Sequence, residues 1–167
     1  VIISLTCCCI IGKLRSPKAV EALLALLGTA EAGLQFTIFE AFTAIGKGVS
    51  AEKILPFAEN PLLRKTVFGC LGQLSDVEAI PVLLRGLEDP LRKMREVALL
   101  SLGQLLQSLS GQDCPEFRVK SPQVVDALYE YLGHKDKAYR RAACYALCLC
   151  PDAEVVEKTL PLLADEE

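Results

Sequence analysis

Tryptophan is absent from this chain of 167 residues, histidine and methionine occur once each, and aromatics make up 6%. A core built from such a chain is mainly aliphatic. With a single histidine, His134, the chain lacks the paired imidazoles of most zinc and di-iron sites, and Cys–His catalysis would rest on one residue placed in a turn. Positive charge is not in excess either. The net charge of −3 argues against a surface built for phosphate backbones, so nucleic acid is not the expected partner. No Gly-rich phosphate loop is present. Gly46 and Gly48 read as a helix terminus and not as part of a G-x-G-x-x-G after a strand. The opening apolar run, VIISLTCCCIIG, is twelve residues long, short of the roughly 20 that a transmembrane helix needs. It has no basic leader of the signal-peptide kind. No membrane span is expected. The chain opens on Val inside a repeat and closes on LPLLADEE, so it reads as part of a longer protein.

What is abundant is apolar: 51% of residues, against 23% charged, a balance that argues for a buried core and against disorder. Eight cysteines invite a disulfide reading. Most sit inside helical patterns as small apolar residues, which favours reduced thiols and a cytoplasmic location. Cys7, Cys70 and Cys144 are expected to be buried. Cys144 and Cys148 share a helical face, and Cys7, Cys8 and Cys9 are consecutive. Neither group completes a zinc-ligand pattern. No metal, cofactor or catalytic residue is expected.

The stretch from Asp76 to Gly103 organises the rest. Ile80, Leu83, Leu84 and Leu87 recur at helical spacing. Asp89-Pro90 stops that helix and starts a second, since Asp caps free N–H groups and Pro is tolerated in the first helical turn. The second helix carries Val97, Ala98, Ser101 and Leu102 inward and is expected to end at Gly103. Its pattern recurs at Ile11-Gly12, Ile45-Gly46, Leu71-Gly72 and Leu147-Cys148. Eight residues before three of these anchors stands Arg64, Arg95 or Arg140. Successive anchors lie 34, 26, 31 and 45 residues apart. Helix pairs recurring at such a period predict an all-α fold, an α-solenoid over residues 1–167. The long last interval places an inserted loop at 108–122, rich in Ser, Gly, Pro and charge. Ser16-Pro17, Asn60-Pro61, Asp89-Pro90 and Ser121-Pro122 read as helix starts, and a last helix is expected over 153–163.

The R-x-x-A-x-x-A-L-G pattern after a turn resembles HEAT repeats, in particular the short HEAT-like type also found in phycobilin lyases. The resemblance covers nearly the whole chain. It implies a right-handed superhelix of antiparallel helix pairs, of armadillo type, and a protein-binding scaffold or adaptor. It also leaves an accessory lyase-like role as the alternative. HEAT-type deoxyhypusine hydroxylases hold two irons through repeated His-Glu pairs, whereas His134 here is followed by Lys135. HEAT-like alkylpurine DNA glycosylases line the concave face with Lys and Arg. The comparable positions here are mixed in charge.

Two sets of residues follow. Arg64, Arg95 and Arg140 read as a structural ladder of Arg–carboxylate pairs that fixes successive turns, with an anion site as the functional alternative. Positions −7, −4 and −3 from the anchor should face away from the buried −5 and −2. They nominate Phe39, Phe42, Lys65, Phe68, Glu96, Leu100, Arg141 and Tyr145 as a surface for a protein or peptide partner. The apolar members either pack between repeats or form a groove. Loop residues Asp113, Glu116, Arg118 and Lys120 would form one rim. Self-association through exposed solenoid ends is also expected.

Overall fold

Local chemistry cuts the chain into short helices, none of which can bury its apolar side alone. In a computed structural model, which describes residues 2–46, 48–110 and 115–148, these helices form two layers. No strand occurs among the described residues.

The helices are α1 (Ile2–Leu14), α2 (Val20–Leu27), α3 (Ala32–Ile45), α4 (Ala51–Ile54), α5 (Arg64–Leu71), α6 (Ile80–Gly86), α7 (Arg92–Ser110), α8 (Pro115–Leu132) and α9 (Lys137–Cys148). Single 3₁₀ turns precede α2 and α6, and another, Leu55–Glu59, extends α4. One layer is the series α1, α3, α5, α7, α9, each packed on the next. The other holds α2, the α4 segment, α6 and α8, which pair with α3, α5, α7 and α9 in turn. Aliphatic side chains fill the space between the layers, among them Leu23, Ile38, Leu71, Leu83, Leu102 and Leu128. None of the described helices is long and apolar enough to cross a membrane.

The short polar signals act as the sequence implies at two of the four Pro-containing starts. Asn60 Oδ1 accepts the Leu62 N–H at 3.0 Å, and Asp89 Oδ1 accepts the Leu91 N–H at 2.8 Å. Ser16 stands before a 3₁₀ turn but makes no side-chain cap. Ser121-Pro122 does not start a helix: Pro122 lies inside α8.

The anchor glycines have a different role from the one their spacing implies. Only Gly46 ends its helix in the left-handed region, at φ 69°. Gly103 lies well inside α7, which continues to Ser110. A Cβ on Gly12 would lie 3.0 Å from the Ala41 Cα, and one on Gly72 would lie 2.9 Å from the Ser101 Cα. On Gly103 it would fall 2.4 Å from the Ala146 Cα. Glycine is needed there because successive helices of one layer touch backbone to backbone.

The described residues of the interval 108–122 are helical and do not form the expected inserted loop. Residues 108–110 belong to α7, and α8 begins at Pro115. The extra residues lengthen two helices. Ser, Gly and Pro marked a break, but packing on α9 and α6 carries helix through most of it. The expected helix at 153–163 and Cys150 lie outside the described residues.

Candidate interaction site

The inner helices of the series, α3, α5 and α7, are closed on three sides. Counting from the anchors, small residues at −5 and −2 receive the preceding helix, the −1 residue points to the paired helix, and −4 and 0 meet the following one. At 100° per residue, only −10, −6, −3 and +1 remain on the fourth side.

This corrects the expected groove. Phe39 and Phe42 are fully buried, and Phe68 is 4% exposed. Phe39 packs edge-on against Phe42 and Phe57, with ring centroids 6.2 and 5.7 Å away. A Cβ on Gly86 would lie 2.7 Å from Phe68 Cε2. Phe39 and Phe68 thus pack against the following helix pair, at Phe57 and Gly86 of the other layer, and not toward solvent as the sequence reading allowed. Lys65 and Arg141 are exposed, Glu96 and Leu100 are half-buried, and Tyr145 is 55% exposed. Long charged side chains at −7 lift their heads out of the packed layer, which Phe39 cannot do.

The open side also carries residues that the sequence reading missed. Phe36 and Glu40 on α3, Leu62 before α5 and Lys93 on α7 are exposed. The signal available for them was the fourth side itself, the register left over once −4 and 0 are assigned to packing. Along the −7/−6 level the charge changes sign from helix to helix: Glu40, Lys65, Glu96, Arg141.

A cleft of about 460 Å³ opens on this side between α1 and α3. Its floor is made of small residues, Gly12, Ala41 and Ala44, and its rim carries Cys9, Lys13, Arg15 and Glu40. The close Gly12–Ala41 approach brings the two backbones together, and the small side chains above them leave the space. A volume in this range admits one large side chain or a small ligand.

One edge of the molecule is built from the three arginines. Each reaches back to backbone carbonyls six and five residues earlier. Arg64 Nε donates to Ala58 O at 2.9 Å and Nη2 to Glu59 O at 3.3 Å. Arg95 Nη1 donates to Asp89 O at 2.6 Å and Pro90 O at 3.2 Å. Arg140 Nη1 donates to His134 O and Lys135 O, both at 3.1 Å. The ladder is therefore mainly arginine to carbonyl. The carboxylates instead tie neighbouring pairs together. Asp89, whose side chain is 7% exposed, takes Arg64 Nη1 at 3.0 Å, and Asp136 takes Arg92 Nη2 at 2.9 Å.

The one histidine belongs to this edge. His134 stacks on Tyr131 at 5.7 Å and meets Tyr139 edge-on at 4.6 Å. Its Nδ1 accepts the Asp136 N–H at 3.0 Å. Arg95 Nε donates to the Tyr139 hydroxyl at 3.0 Å, and its guanidinium lies 5.4 Å from the ring centroid. The Tyr131 hydroxyl donates to Leu87 O at 3.0 Å, and burial pushes that phenol up from its ordinary range. Every contact here fixes a turn or joins two helix pairs.

Among the described residues no group of three or more His, Cys, Asp or Glu is placed to hold a metal ion. Cys7 and Cys9 are exposed, Cys144 is half-buried, and Cys8 and Cys70 are buried. The expected burial of Cys7 is thus corrected: Cys8 is the residue turned inward. Burial pushes the Cys70 thiol up to about 12. Nothing is described of the side chains of Glu116, Arg118 and Lys120, and Asp113 lies outside the described residues. No protein-family model and no curated protein matches the chain.

Proposed function

We propose that this chain is a HEAT-like α-solenoid acting as a non-catalytic scaffold for a protein or peptide partner. The solenoid reading is supported by the two-layer stack, in which each helix pair buries its apolar side only against its neighbours. The observation that carries the functional reading is the open side of the α3–α9 series. It exposes Tyr145 and Phe36 among charges that alternate in sign from one helix to the next. Helices packed side by side sit about 8–10 Å apart. An extended chain covers that distance in three residues, at about 3.3 Å each. The surface therefore suits an extended segment with opposite charges three residues apart and an apolar side chain between them. Tyr145 supplies a rigid apolar anchor, and the α1/α3 cleft supplies a socket.

A displayed library of random peptides selected on the immobilised chain tests this. Enriched peptides should show alternating charge at that spacing, and Lys65→Glu combined with Arg141→Glu should abolish their binding. Enrichment no better than on a bare surface, or binding that survives the double variant, would refute the reading.

A further inference from the structure

From the cleft between α1 and α3 we infer that Cys9 is a modification site, which takes up one half of a small zwitterionic peptide disulfide of the glutathione type. The rim of the cleft carries the Cys9 thiol, the cations Lys13 and Arg15, and the Glu40 carboxylate. Cys9 and Lys13 stand four residues apart on α1, so their side chains are neighbours. Arg15 follows the helix with φ 48°, its N–H donating to Gly12 O at 3.1 Å, and this turn keeps its side chain on the rim. Glu40 faces them from α3. Among the described residues the side chains of Lys13, Arg15 and Glu40 have no ion pair. Arg64, Arg92, Arg95 and Arg140, in contrast, are all held by carbonyls or carboxylates. The cleft does not depend on what lies beyond α1. Cys9 at −3 and Lys13 at +1 lie in the register of the fourth side, which stays open on α3 at Phe36 and Glu40 although α1 and α5 flank that helix.

These groups match one ligand chemistry. Two cations suit two carboxylates, one carboxylate suits an ammonium, and a thiol suits a sulfur that carries a leaving group. Each half of oxidised glutathione has two carboxylates, one ammonium and one disulfide sulfur. The cleft volume, about 460 Å³, lies in the range of small-molecule sites. In the reaction the Cys9 thiol gives its proton to solvent, and Sγ attacks one sulfur of the disulfide. A new S–S bond forms, the old one breaks, and the released thiolate takes up a proton. The disulfide supplies the oxidising equivalents, so no other oxidant is needed. Cys8 also lines the cleft but is 2% exposed, and burial pushes its thiol up, so it does not compete. Cys7 is exposed on the same helix but does not line the cleft, which makes it the internal comparison. This inference does not depend on the proposed function.

Site-resolved mass spectrometry of the whole chain tests it, after brief exposure to oxidised glutathione or to the uncharged hydroxyethyl disulfide. The ratio of the two rates at one thiol cancels the reactivity of that thiol itself. The ratio should be about tenfold higher at Cys9 than at Cys7 and should shrink as salt is raised. Lys13→Gln combined with Arg15→Gln should bring it down to the Cys7 level. Glu40→Gln separates recognition from simple attraction. Loss of the ammonium's partner should lower the ratio at Cys9, whereas a bare cationic field would strengthen and raise it. All three residues are exposed, so Cys70 should stay unmodified in each variant. Equal ratios at Cys9 and Cys7, or a rise in Glu40→Gln, would overturn the inference.

Discussion

Gly103 of α7 and Ala146 of α9 meet backbone to backbone: a Cβ on Gly103 would stand 2.4 Å from the Ala146 Cα and 2.5 Å from its Cβ. No side-chain rotation relieves such a contact, so the two helices must move apart. Gly103→Ala is therefore expected to destabilise the protein by about 1–3 kcal/mol, even after the better helix propensity of alanine is counted. Gly69 in α5 has nothing within 4 Å of its would-be Cβ. Gly69→Ala should stabilise by about 0.5–1 kcal/mol. Urea denaturation of the two variants should show shifts of opposite sign. Shifts of the same sign would count against the close approach.

Phe68 at −4 and Tyr145 at −3 stand at adjacent positions of the repeat and differ in burial, 4% against 55%. Phe68→Ala should cost about 3–5 kcal/mol by leaving a cavity between α5 and α6. Tyr145→Ala should change stability by no more than about 0.5 kcal/mol. Thermal unfolding separates them without any knowledge of a partner. A large loss for Tyr145→Ala would remove it from the open face.

Arg64 serves three acceptors, Ala58 O, Glu59 O and the nearly buried Asp89 carboxylate. Arg64→Met leaves that carboxylate with its Leu91 cap and no cation. A loss of about 2–4 kcal/mol is expected, the lower part of the usual range because Arg64 is partly exposed. The solvent-exposed Lys53–Glu21 pair, at 3.2 Å, is the comparison. Lys53→Met should cost within about 0.5 kcal/mol. Equal losses in chemical denaturation would show that the arginine edge adds nothing beyond surface pairing.

Cys70 is sealed between helices, and desolvation raises its thiol to about 12 against an ordinary value near 9; a hydrogen bond with Thr43 acts the other way. Above pH 9 the unfolded chain loses this proton while the folded chain keeps it. The unfolded state then binds fewer protons, and stability falls as pH rises from about 9 to 12. Below pH 9 the group contributes no pH dependence. Denaturation at pH 8 and pH 10.5 should show a smaller alkaline loss in Cys70→Ala than in the parent. At neutral pH, thiol reagents should modify Cys7 and Cys9 rapidly and Cys70 only on unfolding.

Helix positions were legible along most of the chain because their signals are local. Asn60 and Asp89 cap the turns that their side chains reach, and Ile80, Leu83 and Leu87 declare one face by spacing alone. The pairing of short helices was legible too, because no single one buries enough apolar area to stand alone. The arginine period was visible, but its partners were not. Arg95 is as close in sequence to the Asp89 carboxylate as to the Asp89 carbonyl, and only the folded turn selects the carbonyl.

The sequence by itself determined that this chain is helical, paired and repetitive, since capping, apolar period and the recurrence of small residues are properties of neighbours along the chain. Tertiary structure alone decided which sides of each helix are closed. Phe39 at −7 and Tyr145 at −3 lie within one helical turn of each other in register, and both were readable as surface. One is sealed and the other open because the following helix approaches at Gly12, Gly72 and Gly103 and covers −4 and 0. That approach depends on residues about 30 or more positions away, which no local pattern records.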